Sequence, residues 1–246
     1  MSFYLTLPST TSFDFFPDNT AGQFTTKLPQ PINLKEDFEV GLSEIQFNSS
    51  YINVSEDACF VDYKNTEENE KTRIRIIPGM FSNNEDFIKI INERIQQDYG
   101  FEDITFSYDK MTRRVTVRVS NKATIKLSPN LARLLGFKNP KINGPHQRYA
   151  QSIMDLNEDY HSIFVYCDIV SPNTVGDAFA PLLRIVPTFN RTNPIVHHTY
   201  QTPHYFPVSR NNFNQVEILL KNHLGKTLSF GSGQTIVTLH FRPRQN

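Results

Sequence analysis

Residues Ser162–Pro187 constrain the fold more than any other stretch. From Ile163 to Val170 the chain is a nearly unbroken run of apolar, β-branched and aromatic side chains. A run of this kind suits a strand covered on both faces. Pro172 ends it, because proline has no N–H to give to a sheet ladder. Val175-Gly176-Asp177 supplies a turn in which Gly176 can take a positive φ. Leu182–Val186 then reads as a second strand that stops at Pro187. A buried strand pair in mid-chain needs sheet partners, and segments on both sides are expected to supply them.

Those segments are present. Before the pair, Ser2–Leu7, Gln23–Leu28, Phe38–Phe47 and Ala58–Lys64 read as strands, the second broken off by Pro29 and Pro31. In the third, the apolar positions change phase between Leu42 and Ile45, which predicts a bulge near Ser43. After the pair come Tyr205–Val208, Gln215–Lys221, Leu228–Phe230 and Gln234–Arg242. Twenty Phe and ten Tyr in 246 residues favour strands, and fifteen Pro with ten Gly punctuate them. About eight strands at such intervals suit a two-sheet sandwich of jelly-roll type.

Between the two groups the texture changes. Thr72–Ile77 reads as a strand and Ser82–Tyr99 as a helix opened by a capping box of Ser82 and Glu85. Ile104–Tyr108 and Arg114–Val119 read as a hairpin, and Ala123–Leu127 as a strand. A short helix follows Ser128-Pro129 and stops at Gly136. Asn139–Asn157 reads as a polar linker. The expected fold is therefore mainly β: a single jelly-roll sandwich, discontinuous over 1–71 and 141–246, with an inserted α/β subdomain at 72–140.

Few residues suggest chemistry. Lys plus Arg equals Asp plus Glu at 25 each, so formal net charge is zero and nucleic-acid contact is not expected. Cys59 and Cys167 form no disulfide framework or metal motif. His197 and His198 are adjacent and point to opposite faces of a strand, so with His204 they make a poor metal set. Asp168, with Asp177 and Arg184 nearby in sequence, could form an acid pair but reads better as ion pairing and turn bonding. Arg113-Arg114 and Arg242-Pro243-Arg244 are short basic patches. No catalytic, cofactor-binding or metal residue is assigned, and the chain is read as no enzyme. No segment approaches the roughly 20 apolar residues of a membrane span. Without a secretory leader at its start, synthesis in the cytoplasm with reduced thiols is expected.

Several stretches taken together resemble the minor capsid, or penton, proteins of Polinton/Maverick elements, adintoviruses and virophages. They are Phe3–Ser9, Phe16–Thr20, Phe24–Ile32, Glu39–Ile45, Leu131–Phe137, Phe164–Val170, Val175–Asp177, Leu182–Pro187, Pro203–Val208 and Val237–Arg242. None is a catalytic signature; their order and number carry the likeness. The resemblance implies a single jelly roll that forms a homopentamer at the five-fold vertices of an icosahedral capsid, beside a double-jelly-roll major capsid protein. It places the chain in the virion. A second expectation is a jelly-roll module recognising a glycan or host receptor, with the 191–201 loop and the insertion as surfaces.

Overall fold

The alternating segments become strands wherever a second sheet or a helix can cover one of their faces. The computed structural model describes residues 1–50, 52–54, 59–66, 71–98, 100, 102–157, 160–188 and 195–244. In chain order the elements are β1 (Phe3–Pro8), β2 (Gln23–Asn33), β3 (Phe38–Asn48), β4 (Phe60–Asn65), β5 (Lys71–Arg75) and α1 (Asn84–Glu93). Next come β6 (Ile104–Asp109), β7 (Arg114–Val119), β8 (Ala123–Leu127), α2 (Pro129–Leu135), β9 (Lys141–Asn143) and β10 (His146–Tyr149). Then follow β11 (Ser162–Cys167), β12 (Asn173–Val175), β13 (Ala178–Ala180), β14 (Leu182–Pro187), β15 (Ile195–Thr199), β16 (Phe206–Pro207), β17 (Asn212–Lys221) and β18 (Ile236–Pro243).

Eight of these strands wind as a jelly roll. One sheet has the order β1-β18-β3-β15, with β16 also on β3; the other has the order β14-β11-β17-β2. Numbered along the chain, the first strand pairs with the eighth, the second with the seventh, the third with the sixth and the fourth with the fifth, all antiparallel. That is a two-stranded ribbon folded over on itself. The expected mainly β jelly-roll sandwich is what forms. Its core joins Leu7, Val40, Ile45 and Phe241 of one sheet to Phe24, Val165, Ile218 and Leu220 of the other. Phe213 stacks against Phe241 with ring centroids 6.1 Å apart. Full burial of each such side chain stabilises the fold by about 1.5–3 kcal/mol.

The bulge in β3 is present: Glu44 pairs with Thr238 and Leu42 with Leu239, which leaves Ser43 unmatched and turns both Leu42 and Ile45 inward. Three expectations need correction. In β11 burial alternates, with Ile163, Val165 and Cys167 inside and Phe164 and Tyr166 only half-buried, so one face is core rather than both. Strand β2 runs through Pro29 and Pro31 to Asn33. It is an edge strand whose ladder to β17 skips from Ile32 to Lys27, so neither proline is asked for an N–H. Leu228–Phe230 is no strand: only isolated bridge positions form there, at Phe230 and, just before it, at Thr227 opposite Lys221.

The chain divides into two compact units, Met1–Tyr51 with Asp159–Asn246, and Ile52–Glu158. This differs from the 72–140 boundaries in two ways. Strand β4 belongs with the second unit, because it pairs with β5 and β8. The 139–157 stretch is no linker, since β9 pairs with β8 and β10 with β7. The second unit holds a four-stranded sheet β5-β4-β8-β9, a three-stranded sheet β10-β7-β6, and helices α1 and α2 around its own core. Helix α1 is capped by Asn83, whose Oδ1 accepts from Glu85 N at 2.9 Å, and not by a Ser82 box. Phe87, Ile88 and Ile91 face inward, and Arg94–Asp98 continues as one π-helical turn. The Asn92 amide then seals the free edge of β6, giving to Phe106 O at 2.8 Å and accepting from Phe106 N at 2.9 Å. Helix α2 starts at the Ser128 cap and ends at Gly136 in the left-handed region, φ 83°.

In the jelly roll, β15 and β16 lie along the same side of β3, joined by residues 200–205. Gly41 lets that segment come close. A Cβ there would stand 2.8 Å from both His204 O and Pro203 Cβ, and 3.2 Å from the Tyr205 ring.

Two outcomes follow. Gly41→Ala forces this crossing apart and lowers stability by about 1–3 kcal/mol in denaturant melts, the usual cost of overpacking. A chain in which a short Gly/Ser linker replaces 52–158 stays soluble and β-rich by circular dichroism. Replacing only 72–140 strands β4, β9 and β10 without partners, and that chain aggregates.

Candidate functional site

The residues singled out in the sequence are not brought together. Asp168 pairs with neither Asp177 nor Arg184. It forms an ion pair with Arg210, and its Oδ1 accepts from Glu217 N at 2.8 Å. Burial pushes its carboxyl above the ordinary carboxylate range, against the pull of that N–H and of Arg210. The pair ties the end of β11 to β17. Asp177 sits in the turn of the β12–β13 hairpin beside Gly176. Arg184 instead lies 3.5 Å over the Tyr200 ring. Burial also pushes the Tyr200 phenol up, while Arg184 draws it down.

His197 and His198 occupy β15, His197 exposed and His198 half-buried. His198 Nε2 is 2.8 Å from Pro187 O, and its ring is parallel to Tyr200 at 6.2 Å. His204 is exposed on the crossing segment. Among the described residues no three of His, Cys, Asp and Glu stand close enough to hold a metal ion. Cys59 and Cys167 are both buried, one in each unit, and burial drives the Cys167 thiol well above its ordinary value. Of the stretch expected as a 191–201 loop, residues 191–194 lie outside the described residues and Ile195–Thr199 form strand β15 against β3 instead. Arg113 and Arg114 are exposed at the β6–β7 turn. No described helix is long and apolar enough to cross a membrane.

The structure also assembles a polar cluster that sequence reading missed, on the outer face of the β1-β18-β3 sheet. The ladder places Tyr4 opposite His240, and their rings stack at 4.5 Å. Tyr205 Oη and His240 Nδ1 share a hydrogen bond at 2.7 Å. Arg242 lies 3.6 Å over the Tyr205 ring and pairs with Glu39 at 2.5 Å. Members of the cluster, from Tyr4 to Arg242, are up to 238 positions apart, so no local motif announces it. Burial, and then the nearby Arg242, hold His240 below the ordinary imidazole range. The cluster fastens the crossing segment onto β18, and burial beside the Arg242 cation disfavours a charged His240 within it.

That gives a signed pH dependence. A base whose folded pKa is depressed contributes fully above its unfolded pKa, about 6.5, and loses that contribution as pH falls through the folded value. Thermal midpoints should therefore drop from about pH 7.5 to pH 5, and His240→Asn should flatten part of the drop. An identical slope in the variant would remove His240 from the account.

No protein-family model matches the chain, and no curated protein matches it in sequence. Among solved structures, the mavirus penton protein aligns over 98% of this chain and 99% of its own, with a TM-score of 0.49 and 11% identity. The D2–D3 domains of the flagellar cap protein FliD from Escherichia coli align over 99% and 100%, with a TM-score of 0.15 and 10% identity. Agreement this loose carries no functional weight.

Proposed function

We propose that the chain is a structural virion protein, a penton that forms a homopentamer at the five-fold vertices of an icosahedral capsid. The observation that carries this reading is where the family-like stretches fall. Phe3–Ser9, Phe24–Ile32, Glu39–Ile45, Phe164–Val170, Leu182–Pro187 and Val237–Arg242 coincide with β1, β2, β3, β11, β14 and β18. They are thus six of the eight strands of a jelly roll, in the order that winds it. The polar clusters support the same reading: the Asp168–Arg210 pair and the Tyr4–His240–Tyr205–Arg242–Glu39 group join strands to one another. Zero net charge lets identical copies approach in a ring without mutual repulsion.

A closed ring needs a heterologous contact, one patch against a different patch on the next copy. The β12–β13 hairpin offers one half of it. At its end Ala178-Phe179-Ala180 presents the Phe179 ring, 80% exposed, on a two-stranded arm with free edges. On this reading the Phe179 ring is what the next copy covers. The second partner is a double-jelly-roll major capsid protein.

Light scattering coupled to size exclusion tests the reading. It expects a species of five times the 28.4 kDa chain, and co-sedimentation with the major capsid protein. Phe179→Glu should give monomers with an unchanged melting temperature. A wild-type chain that stays monomeric and ignores the major capsid protein would defeat the proposal.

A further inference from the structure

Strands β5, β4, β8 and β9 form one antiparallel sheet, and alternation sends Val61, Ile74 and Ile125 into the core of the 52–158 unit. The other face is left to polar side chains. Register lays them out in rows. Arg73, Asp62, Lys126 and Lys141 stand side by side across the four strands; Lys71, Lys64, Thr124 and Asn143 make the next row. Arg75 stands beside Phe60 in a third. Six cations thus share one face with one carboxylate, in a chain of zero net charge.

That carboxylate is already engaged. Asp62 accepts from Arg73 at 2.7 Å, and the Arg73 guanidinium also covers the Phe60 ring at 4.0 Å. Among the described residues Lys64, Lys71, Arg75, Lys126 and Lys141 make no ion pair. A shallow cavity of about 460 Å³ lies over the face, lined by Lys64, Lys71, Thr124, Lys126 and Lys141 together with the Asp62–Arg73 pair. Neighbouring strands stand about 4.8 Å apart, and same-face residues on one strand about 6.7 Å apart. Like charges on so tight a lattice repel, and an anion spanning several of them relieves that repulsion.

We propose that this face binds a linear sulfated polysaccharide. The ligand must carry a negative group every few ångströms, because each surface contact is weak and only several together hold. It must also need no aromatic platform. The ring on this face, Phe60, is covered by Arg73 and offers no open aromatic face to unpaired bases. Sugar rings bearing sulfates and hydroxyls ask only for the ammonium groups and the Thr124 hydroxyl that the cavity presents. The inference stands whether or not the chain assembles into a capsid.

The full chain is titrated with heparin, with chemically desulfated heparin, and with single- and double-stranded DNA of matched length. Heparin should bind at least roughly tenfold more tightly than the other three. Replacing Lys71, Lys126 and Lys141 together by Gln should weaken heparin binding roughly tenfold, as expected for three surface ion pairs. Its melting temperature should not change, since all three side chains are exposed. Neutralising Arg113 and Arg114, exposed cations of the same unit, should leave affinity as in the wild type. If the triple variant misfolds, Lys126→Gln alone should weaken binding by about twofold. Wild-type heparin affinity in a folded lysine variant overturns the proposal, as does DNA binding as tightly as heparin, or equal loss on neutralising Arg113 and Arg114.

Discussion

The structure depends on one ladder. β18 runs between β1 and β3, so the end of the chain fills the middle of a sheet whose edge is the beginning of the chain. Phe3 stacks flat on Phe241 at 4.7 Å, a contact between residues at opposite ends of the sequence. Such pairing closes the longest loop the chain allows, and its entropy cost must be met before neighbouring contacts reward it. The ladders are nested: β11 with β14 closes the shortest loop, and β1 with β18 the longest. The core therefore assembles late and together, as expected of high-contact-order β proteins.

What could be read from the sequence was what leaves a periodic or steric mark. The slip in phase at Ser43, the Ser128 and Gly136 ends of α2, and the turn at Gly176 are all local, and all appear where the residues put them. What could not be read lacked such a mark. β10 is exposed at every position, so no alternation separates it from a linker; only its ladder to β7 makes it a strand. Ser82 and Asn83 are both competent caps side by side, and geometry chose Asn83. The prolines of β2 looked terminal because an edge strand with a skipped register cannot be foreseen from one segment.

The polar groups follow the same division. Asp168 with Arg210, Arg184 with Tyr200, and Tyr4 with His240 and Tyr205 are contacts between segments remote in sequence. Sequence spacing suggested Asp168, Asp177 and Arg184 as one group; the sheet sends them to three places. Their partners are on other strands or in turns, which is how a sandwich fastens its layers. The cationic sheet face is equally nonlocal. Its residues come from four strands, and overall neutrality hides it.

The two hydrophobic cores share no residue, one drawn from positions 54–156 and the other from 7–47 and 163–241. Substitutions buried in the 52–158 core are therefore answerable first to that core's own packing. Selection can hold the jelly roll to its winding while the intervening cassette drifts, exchanges its surface charges or is replaced by another of similar length.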